Sequence, residues 1–132
     1  MTISKEMQAP EGFGSRPVLL MDVLLFIQSE VEKGRPLWFF LGGETHVQAM
    51  AAFIAGYRAG CHYNGLENAE YSAFVTWLRD VKHELPGEGW ARKYLADCGG
   101  DHERAIRKFL DFVSEYARQQ HPRAGRAKSE GK

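Results

Sequence analysis

The chain alternates between segments whose apolar residues recur at helical spacing and short segments rich in glycine and proline. Apolar residues three and four positions apart lie on one face of a helix, which packs against a core. This spacing predicts helices over residues of about 17–33, 45–60, 68–84, 89–96 and 101–120. We therefore expect an all-α protein, a compact single domain of about five helices.

The predicted first helix, over residues 17–33, is apolar on nearly every side, so we expect it near the centre of the core. Gly34 is expected to end it. Arg35 and Pro36 then force an extended or turn conformation, because a residue before proline avoids helical geometry. The apolar run at residues 37–41 is predicted to form a short buried strand or an anchoring loop.

Glycines and polar residues mark where the later helices are expected to begin and end. The second helix is predicted to run through about Gly60 and to give way to a loop at residues 60–64. The third is predicted to bury a face that includes Val81 and to continue to Glu84. Asp101 is a candidate N-cap of the fifth helix, because its carboxylate can accept from an unpaired backbone N–H.

The two ends of the chain lack the helical pattern. Residues 1–16 contain glycine and proline without apolar periodicity, so they are predicted to form a flexible N-terminal arm. Residues 121–132 have no large apolar side chain and are predicted to form a disordered basic tail. The helical domain is therefore assigned to residues 17–120.

The 132 residues carry no net charge, since 17 basic side chains balance 17 acidic ones. The zero total is the sum of two segments with opposite net charges. The tail has four basic residues and one acidic, a net of plus three, which leaves 13 basic and 16 acidic residues in the first 120, a net of minus three. A mildly acidic domain predicts no specific nucleic-acid partner, because such partners are bound by a basic surface. A nucleic-acid-associated regulator that acts through its tail remains an alternative.

Nothing in the sequence predicts export or a membrane partner. The one long apolar run, at residues 18–27, is interrupted by Asp22 and is too short to cross a bilayer. The two cysteines are too few for a disulfide framework. We expect a cytoplasmic protein.

The motifs of common catalytic sites are missing from the sequence, including phosphate-binding loops and the nucleophile elbow. Cys61 and His62 could join Cys98 and His102 in a zinc shell, but adjacent residues are awkward as simultaneous ligands. We therefore predict no catalytic residue, no metal and no cofactor. A small enzyme that uses a cysteine and a histidine remains an alternative.

Most aromatic residues lie on or beside the predicted apolar faces, so we interpret them as core residues. This group comprises Trp38, Phe39, Phe40, Tyr57, Tyr71, Trp77 and Trp90. Tyr63 differs, because it lies in a polar segment near charged residues, a composition suited to protein binding. The predicted partner-binding residues are Arg58, His62, Tyr63, Glu67 and Glu70.

Five short motifs occur in order between residues 35 and 116. They are Arg35-Pro36 with Phe39-Phe40-Leu41-Gly42, Phe53-Ile54-Ala55-Gly56-Tyr57, Phe74 with Trp77-Leu78, Gly89-Trp90-Ala91-Arg92, and Phe109-Leu110-Asp111-Phe112 with Glu115-Tyr116. As an ordered set they resemble a group of small bacterial helical proteins with Arg-Pro-x-Met-Tyr-x-Gly, Phe-Leu-x-Gly-Tyr, Phe-x-x-Trp and Gly-Trp-Ala motifs. The first motif departs from that pattern, because Leu37-Trp38 adds a residue and phenylalanine replaces methionine and tyrosine.

Some members of that group resemble immunity proteins, which protect a toxin-producing bacterium by binding its toxin. The resemblance implies a non-enzymatic protein-binding module whose partner is a cognate toxin protein, and it supplies no catalytic residue. The net charge of minus three in the first 120 residues favours a toxin whose contact face is modestly basic.

Overall fold

The computed structural model describes residues 16–120 and is helical throughout, with no strand in that range. The helices are α1 (Leu20–Glu32), α2 (Val47–Tyr63), α3 (Ala69–Asp80), α4 (Trp90–Asp97) and α5 (His102–Gln120), with a short 3-10 helix at Leu37–Phe39. The predicted all-α fold with five helices is confirmed. The predicted tail of residues 121–132 lies outside the described residues, as does the predicted N-terminal arm except for Arg16.

Helix α5 lies at the centre of the fold and packs against each of the other four helices. Its buried residues recur every three or four positions: Ala105, Ile106, Phe109, Leu110, Val113 and Tyr116. Helix α1 packs against α2, α3 and α5, but its Phe26 side chain is 38% exposed. The expectation that α1 is central therefore holds for one face only, because its other side meets water.

One aromatic ring joins three helices in the core. The ring of Trp90 in α4 stacks on that of Phe109 in α5, with centroids 4.3 Å apart. Phe74 of α3 meets the same Phe109 ring edge-on at 5.8 Å. Such pairs add about 0.5–1.5 kcal/mol each beyond the burial of their area. The core is thus anchored where α3, α4 and α5 converge.

Helix α2 continues one turn further than predicted, so the loop expected at residues 60–64 is wrong. It ends instead at Tyr63 and is terminated by Gly65, whose φ of 73° lies in the left-handed region that glycine adopts at little cost. The N–H of Leu66 donates to the Cys61 carbonyl at 2.8 Å, and the N–H of Gly65 donates to the His62 carbonyl at 3.1 Å. Gly60 therefore lies inside the helix, and Gly65 is the residue that stops it.

Helix α3 is shorter than predicted, because it ends at Asp80 and not near Glu84. His83 adopts a φ of 55°, which turns the chain out of helical geometry. The carbonyl of Glu84 then accepts from the Tyr94 hydroxyl at 2.9 Å, which fixes the new direction. Val81, predicted to be buried, is 62% exposed as a result.

The run at residues 37–41 forms a 3-10 helix, not a strand. Leu37 is buried and anchors the segment, in agreement with the alternative of an anchoring loop. The side chains of Trp38 and Phe39 are 52% and 46% exposed, so assigning these two aromatics to the core was wrong. The assignment holds for Tyr71, Trp77 and Trp90, which are buried, while Phe40 and Tyr57 are half-buried.

The two glycines at the end of α2 should respond to alanine with opposite signs. Gly60→Ala should raise the free energy of unfolding by about 0.5–1 kcal/mol, because alanine favours a helix interior and its Cβ meets no atom within 4 Å. Gly65→Ala should lower it by about 1 kcal/mol, because alanine is strained at positive φ. Urea denaturation followed by circular dichroism measures both. Destabilisation by Gly60→Ala would place the end of the helix at Gly60 after all.

Candidate functional site

A groove of about 660 Å³ lies between the second half of α2 and the start of α3. Its lining consists of Ala55, Arg58, Ala59, His62, Tyr63, Leu66, Glu67, Asn68, Ala69 and Ser72. Charged and polar side chains alternate in this set with alanines. The small alanine side chains let another molecule approach the helix backbones closely, and the polar groups can form hydrogen bonds with it. We call it the α2–α3 groove.

The extra turn of α2 builds one wall of the groove. Residues three and four apart share a helix face, so Arg58 and His62 lie one above the other beside Ala55 and Ala59. The cap at Gly65 then turns the chain directly into the opposite wall. Had α2 ended at Gly60, no helical turn would align His62 with Arg58.

Two hydrogen bonds connect the groove to the start of α1. Asn68, which lines the groove and precedes α3, accepts from the backbone N–H of Leu20 through Oδ1 at 2.8 Å. The hydroxyl of Tyr57 in α2 donates to the Val18 carbonyl at 2.6 Å. Burial, more than the nearby Cys61 and Asp22, raises the pKa of Tyr57, so the phenol keeps its proton and donates. Both walls are thereby held against the same end of α1.

Arg58 lies against an aromatic ring of the core. Its guanidinium carbon is 5.4 Å from the centroid of the Tyr71 ring, within the range of a cation–π contact. Burial raises the pKa of Tyr71, and the positive charge of Arg58 partly opposes that rise. The phenol therefore stays neutral at physiological pH, and the ring forms a flat support for the arginine.

Tyr63 is the most exposed large side chain of the groove, with 84% of its surface in contact with water. The ring of His62 lies 5.5 Å from that of Tyr63 in an edge-on arrangement. Tyrosine and arginine are the side chains that most often dominate binding energy at protein interfaces. Tyr63 and Arg58 are therefore side chains of these two types that lie exposed at the groove.

Four of the five predicted partner-binding residues line the groove together: Arg58, His62, Tyr63 and Glu67. The fifth, Glu70, lies in the first turn of α3 outside that lining. Burial raises the pKa of Tyr116 in α5, and the negative charge of Glu70 adds to the rise. Sequence reasoning missed the small residues of the lining; Ala55 and Ala59, one helical turn apart, were the available signal.

The cysteines and histidines weighed as zinc ligands or as a catalytic pair differ in their exposure. Cys61 is 6% exposed and belongs to the buried face of α2, whereas its neighbour His62 is exposed. Cys98, at the end of α4, is half-buried. Within residues 16–120 no three histidine, cysteine or acidic side chains gather in a way that could hold a metal ion.

His102 instead accepts a hydrogen bond at the N-terminus of α2. Its Nδ1 accepts from the backbone N–H of Val47 at 3.2 Å, and Nδ1 of His46 accepts from Gln48 N–H at 3.1 Å. The two imidazole rings stack with centroids 4.1 Å apart. Both rings thus satisfy N–H groups that the helix cannot pair by itself, and they tie α2 to α5.

Comparisons of the chain with protein-family models, curated protein sequences and solved structures find no match. Of the helices in the described part of the chain, none has the length and apolar character needed to span a membrane. The functional argument therefore rests on the geometry of the site.

Removing the imidazole of His102 should destabilise the protein through the cap. We expect His102→Ala to lower the free energy of unfolding by about 1 kcal/mol, as for other lost N-terminal caps. His62→Ala removes an exposed imidazole and should change it by less than about 0.5 kcal/mol. Thermal melts with and without a chelator measure both variants. A loss for His102→Ala that disappears with chelator would make His102 a metal ligand and contradict its capping role.

The two thiols should differ in reactivity in the native protein. Cys98 is half-buried and Cys61 is nearly inaccessible, so a disulfide reagent should label Cys98 about tenfold faster or more, because Cys61 needs local opening. Mass spectrometry of digested samples identifies the labelled site, and Cys98→Ser provides the control for Cys61 alone. Faster labelling of Cys61 than of Cys98 would contradict the burial of Cys61 in the native protein.

Proposed function

We propose that this protein is a non-enzymatic protein-binding module, and specifically an immunity protein that binds and neutralises a cognate bacterial toxin in the cytoplasm. The observation that carries the proposal is the α2–α3 groove. There Arg58, His62 and Glu67 surround a lining of small residues, and Tyr63 exposes 84% of its surface at the edge.

The chemistry of the groove suits a protein partner better than a small molecule. Sites for small molecules enclose most of the ligand and are lined mainly by apolar and aromatic side chains. Here the lining is alanine, polar and charged residues, and the tyrosine extends into water. An aromatic side chain with this exposure can enter a pocket of a partner, while the alanines let a partner side chain approach the helices closely.

The groove is held in shape without its partner. The Asn68–Leu20 and Tyr57–Val18 hydrogen bonds fix both walls to α1, and the Tyr71 ring supports Arg58. A surface that is ordered before binding loses less conformational entropy in the complex, which favours affinity. An inhibitor of a toxin benefits from this property, because tight binding decides whether the producing cell survives.

The choice of a toxin as partner is supported by sequence and charge. The motifs between residues 35 and 116 resemble those of small bacterial helical proteins, some of which resemble immunity proteins. Arg58 and Glu67 present both signs of charge in the groove, and the first 120 residues have a net charge of minus three. A modestly basic toxin face would be attracted by that excess and oriented by the two local charges.

Charge reversal at two glutamates near the start of α3 tests whether the partner contacts the groove itself or the surface beside it. Glu67→Lys should weaken toxin binding at least about tenfold in calorimetry, because its carboxylate lines the groove. Glu70→Lys makes the same charge change three residues later, outside the lining, and should change the affinity by about twofold or less. Equal losses for the two variants would remove the groove as the contact surface.

Loss of the tyrosine anchor should abolish protection as well as weaken binding. The partner is obtained by purification from the native cell and qualifies as the toxin if its production alone stops growth. Wild-type protein should restore growth, whereas Tyr63→Ala should bind about 30-fold more weakly, the effect expected of an interface anchor. Val81→Ala, at another exposed position, is the matched control. Full protection by Tyr63→Ala at equal expression would refute the assignment.

A further inference from the structure

A second exposed surface lies away from the groove. Five large hydrophobic side chains of residues 16–120 are classed as exposed, and three of them are aromatics of α1 and the 3-10 helix: Phe26, Trp38 and Phe39. The other two, Tyr63 and Val81, lie apart from this group in the fold. The largest apolar patch on a soluble protein is often a functional contact surface. We call Phe26, Trp38, Phe39 and the half-buried Phe40 the aromatic patch.

The patch is a fixed part of the fold. The Phe40 ring meets Phe39 edge-on at 5.2 Å and Phe26 edge-on at 6.4 Å, so one ring links α1 to the 3-10 helix. Leu37 is buried beneath this segment. The Trp38 carbonyl accepts from the N–H groups of residues 41 and 43 at 3.2 and 3.0 Å. The exposed rings are therefore presented by an ordered turn.

Charges of both signs lie beside the aromatic patch. The guanidinium carbon of Arg35 lies 4.5 Å from the centroid of the Phe39 ring, and its Nε is 3.0 Å from the Glu30 carboxylate. The remaining guanidinium N–H groups of Arg35 are available to a carboxylate of a partner. Lys33 is also exposed, and the exposed acids Glu32 and Glu44 lie just before and just after this segment.

We propose that a second copy of this chain covers the aromatic patch in a two-fold symmetric dimer. In such an interface each surface faces itself, so it must be self-complementary. Apolar rings meet this condition. The exposed charged residues close to them in the chain meet it too, because they include two cations, Lys33 and Arg35, and two acids, Glu32 and Glu44. The zero net charge of the whole chain means that two copies do not repel each other at long range.

Other occupants fit the patch less well. A membrane surface with anionic lipids would require a surplus of lysine and arginine around the rings. That surplus is lacking, because Lys33 and Arg35 both pair with Glu30, and the exposed acids Glu32 and Glu44 lie close to them along the chain. A strongly charged protein partner would likewise need one sign to dominate. A second copy of the same chain presents both positive and negative side chains at this surface.

The size of the patch predicts a weak, reversible dimer. From their exposed fractions, the three rings of Phe26, Trp38 and Phe39 present roughly 300 Å² per copy. With its rim, such an interface falls in the small class, below about 1,200 Å² in total. We expect dissociation at tens to hundreds of micromolar, a concentration range typical of weak contacts.

Dimerisation would leave the α2–α3 groove open. The groove is tied to the first residue of α1 through Asn68 and Leu20, whereas the patch begins at Phe26, the middle residue of α1, and continues in the 3-10 helix that follows α1. Phe26 lies six residues, or about 9 Å, along the helix from Leu20, and Trp38 and Phe39 come after its far end. The dimer is therefore independent of the proposed toxin contact and can be tested without any toxin.

Sedimentation equilibrium of the full chain between about 5 and 500 µM tests the proposal. The apparent mass should rise from that of one chain, 14.9 kDa, towards twice that value and should not exceed it. Trp38→Ala and Phe39→Ala should each weaken association at least about tenfold. Tyr63→Ala, which removes an exposed aromatic outside the patch, should leave it unchanged.

Three results would overturn the proposal: the mass of a single chain at every concentration, a mass that grows beyond two copies without levelling off, or association that Trp38→Ala leaves intact. Because a variant could fail to fold, each is checked by circular dichroism. A second measurement uses the wild type alone: amide NMR signals of residues 35–41 should shift with concentration while those of residues 62–67 stay fixed. Shifts at residues 62–67 and none at 35–41 would place the contact elsewhere.

Discussion

Every helix leaves its first N–H groups and last C=O groups without partners, and in this protein residues at the starts of other helices supply two of those partners. The N–H of Leu20 in α1 finds its acceptor in Asn68, before α3. The N–H of Val47 in α2 finds its acceptor in His102 of α5. Each of these bonds both completes a helix end and fixes the position of one helix relative to another. The arrangement of the five helices depends on them as well as on the aromatic core.

The candidate site is a product of the same constraint. The left-handed cap at Gly65 lets α2 keep its last turn, which carries His62 and Tyr63, and then directs the chain into α3. Asn68 contributes to the groove and at the same time completes α1. The surface that binds a partner in our proposal is therefore built from residues that also close helix ends, which explains how a small domain can present an ordered groove.

The sequence predicted the existence of the five helices well and their ends less well. Helical spacing is a local property, so apolar faces such as that of α5 could be read directly. Gly60 and Gly65 are equally plausible stops by composition, and only backbone geometry distinguishes them. The early end of α3 is followed by the left-handed His83 and by a hydrogen bond to Glu84 from Tyr94 of another helix, and the apolar spacing indicates neither of them.

Most of the residues predicted for the candidate site line one groove, and here too the signal in the sequence is local. Arg58, His62, Tyr63 and Glu67 lie close together along the chain, so a local cluster of polar and aromatic residues could indicate them. The exposure of Trp38 and Phe39 was not predictable, because a short apolar run without periodicity does not indicate which of its side chains face water. The capping role of His102 was hidden as well, since its partner lies 55 positions away.

Along the α2–α3 groove, exposed residues alternate with residues that are buried in the fold. Cys61 is buried while His62 and Tyr63 are exposed, and Arg58 rests on the outside of the ring that Tyr71 buries. Substitutions at the exposed positions therefore leave the packing of the core intact. A lineage of such chains could change which partner it recognises, one side chain at a time, without passing through an unfolded ancestor. Because neighbouring positions have different roles, the exposed residues proposed to bind a partner can change while the arrangement of the helices stays the same.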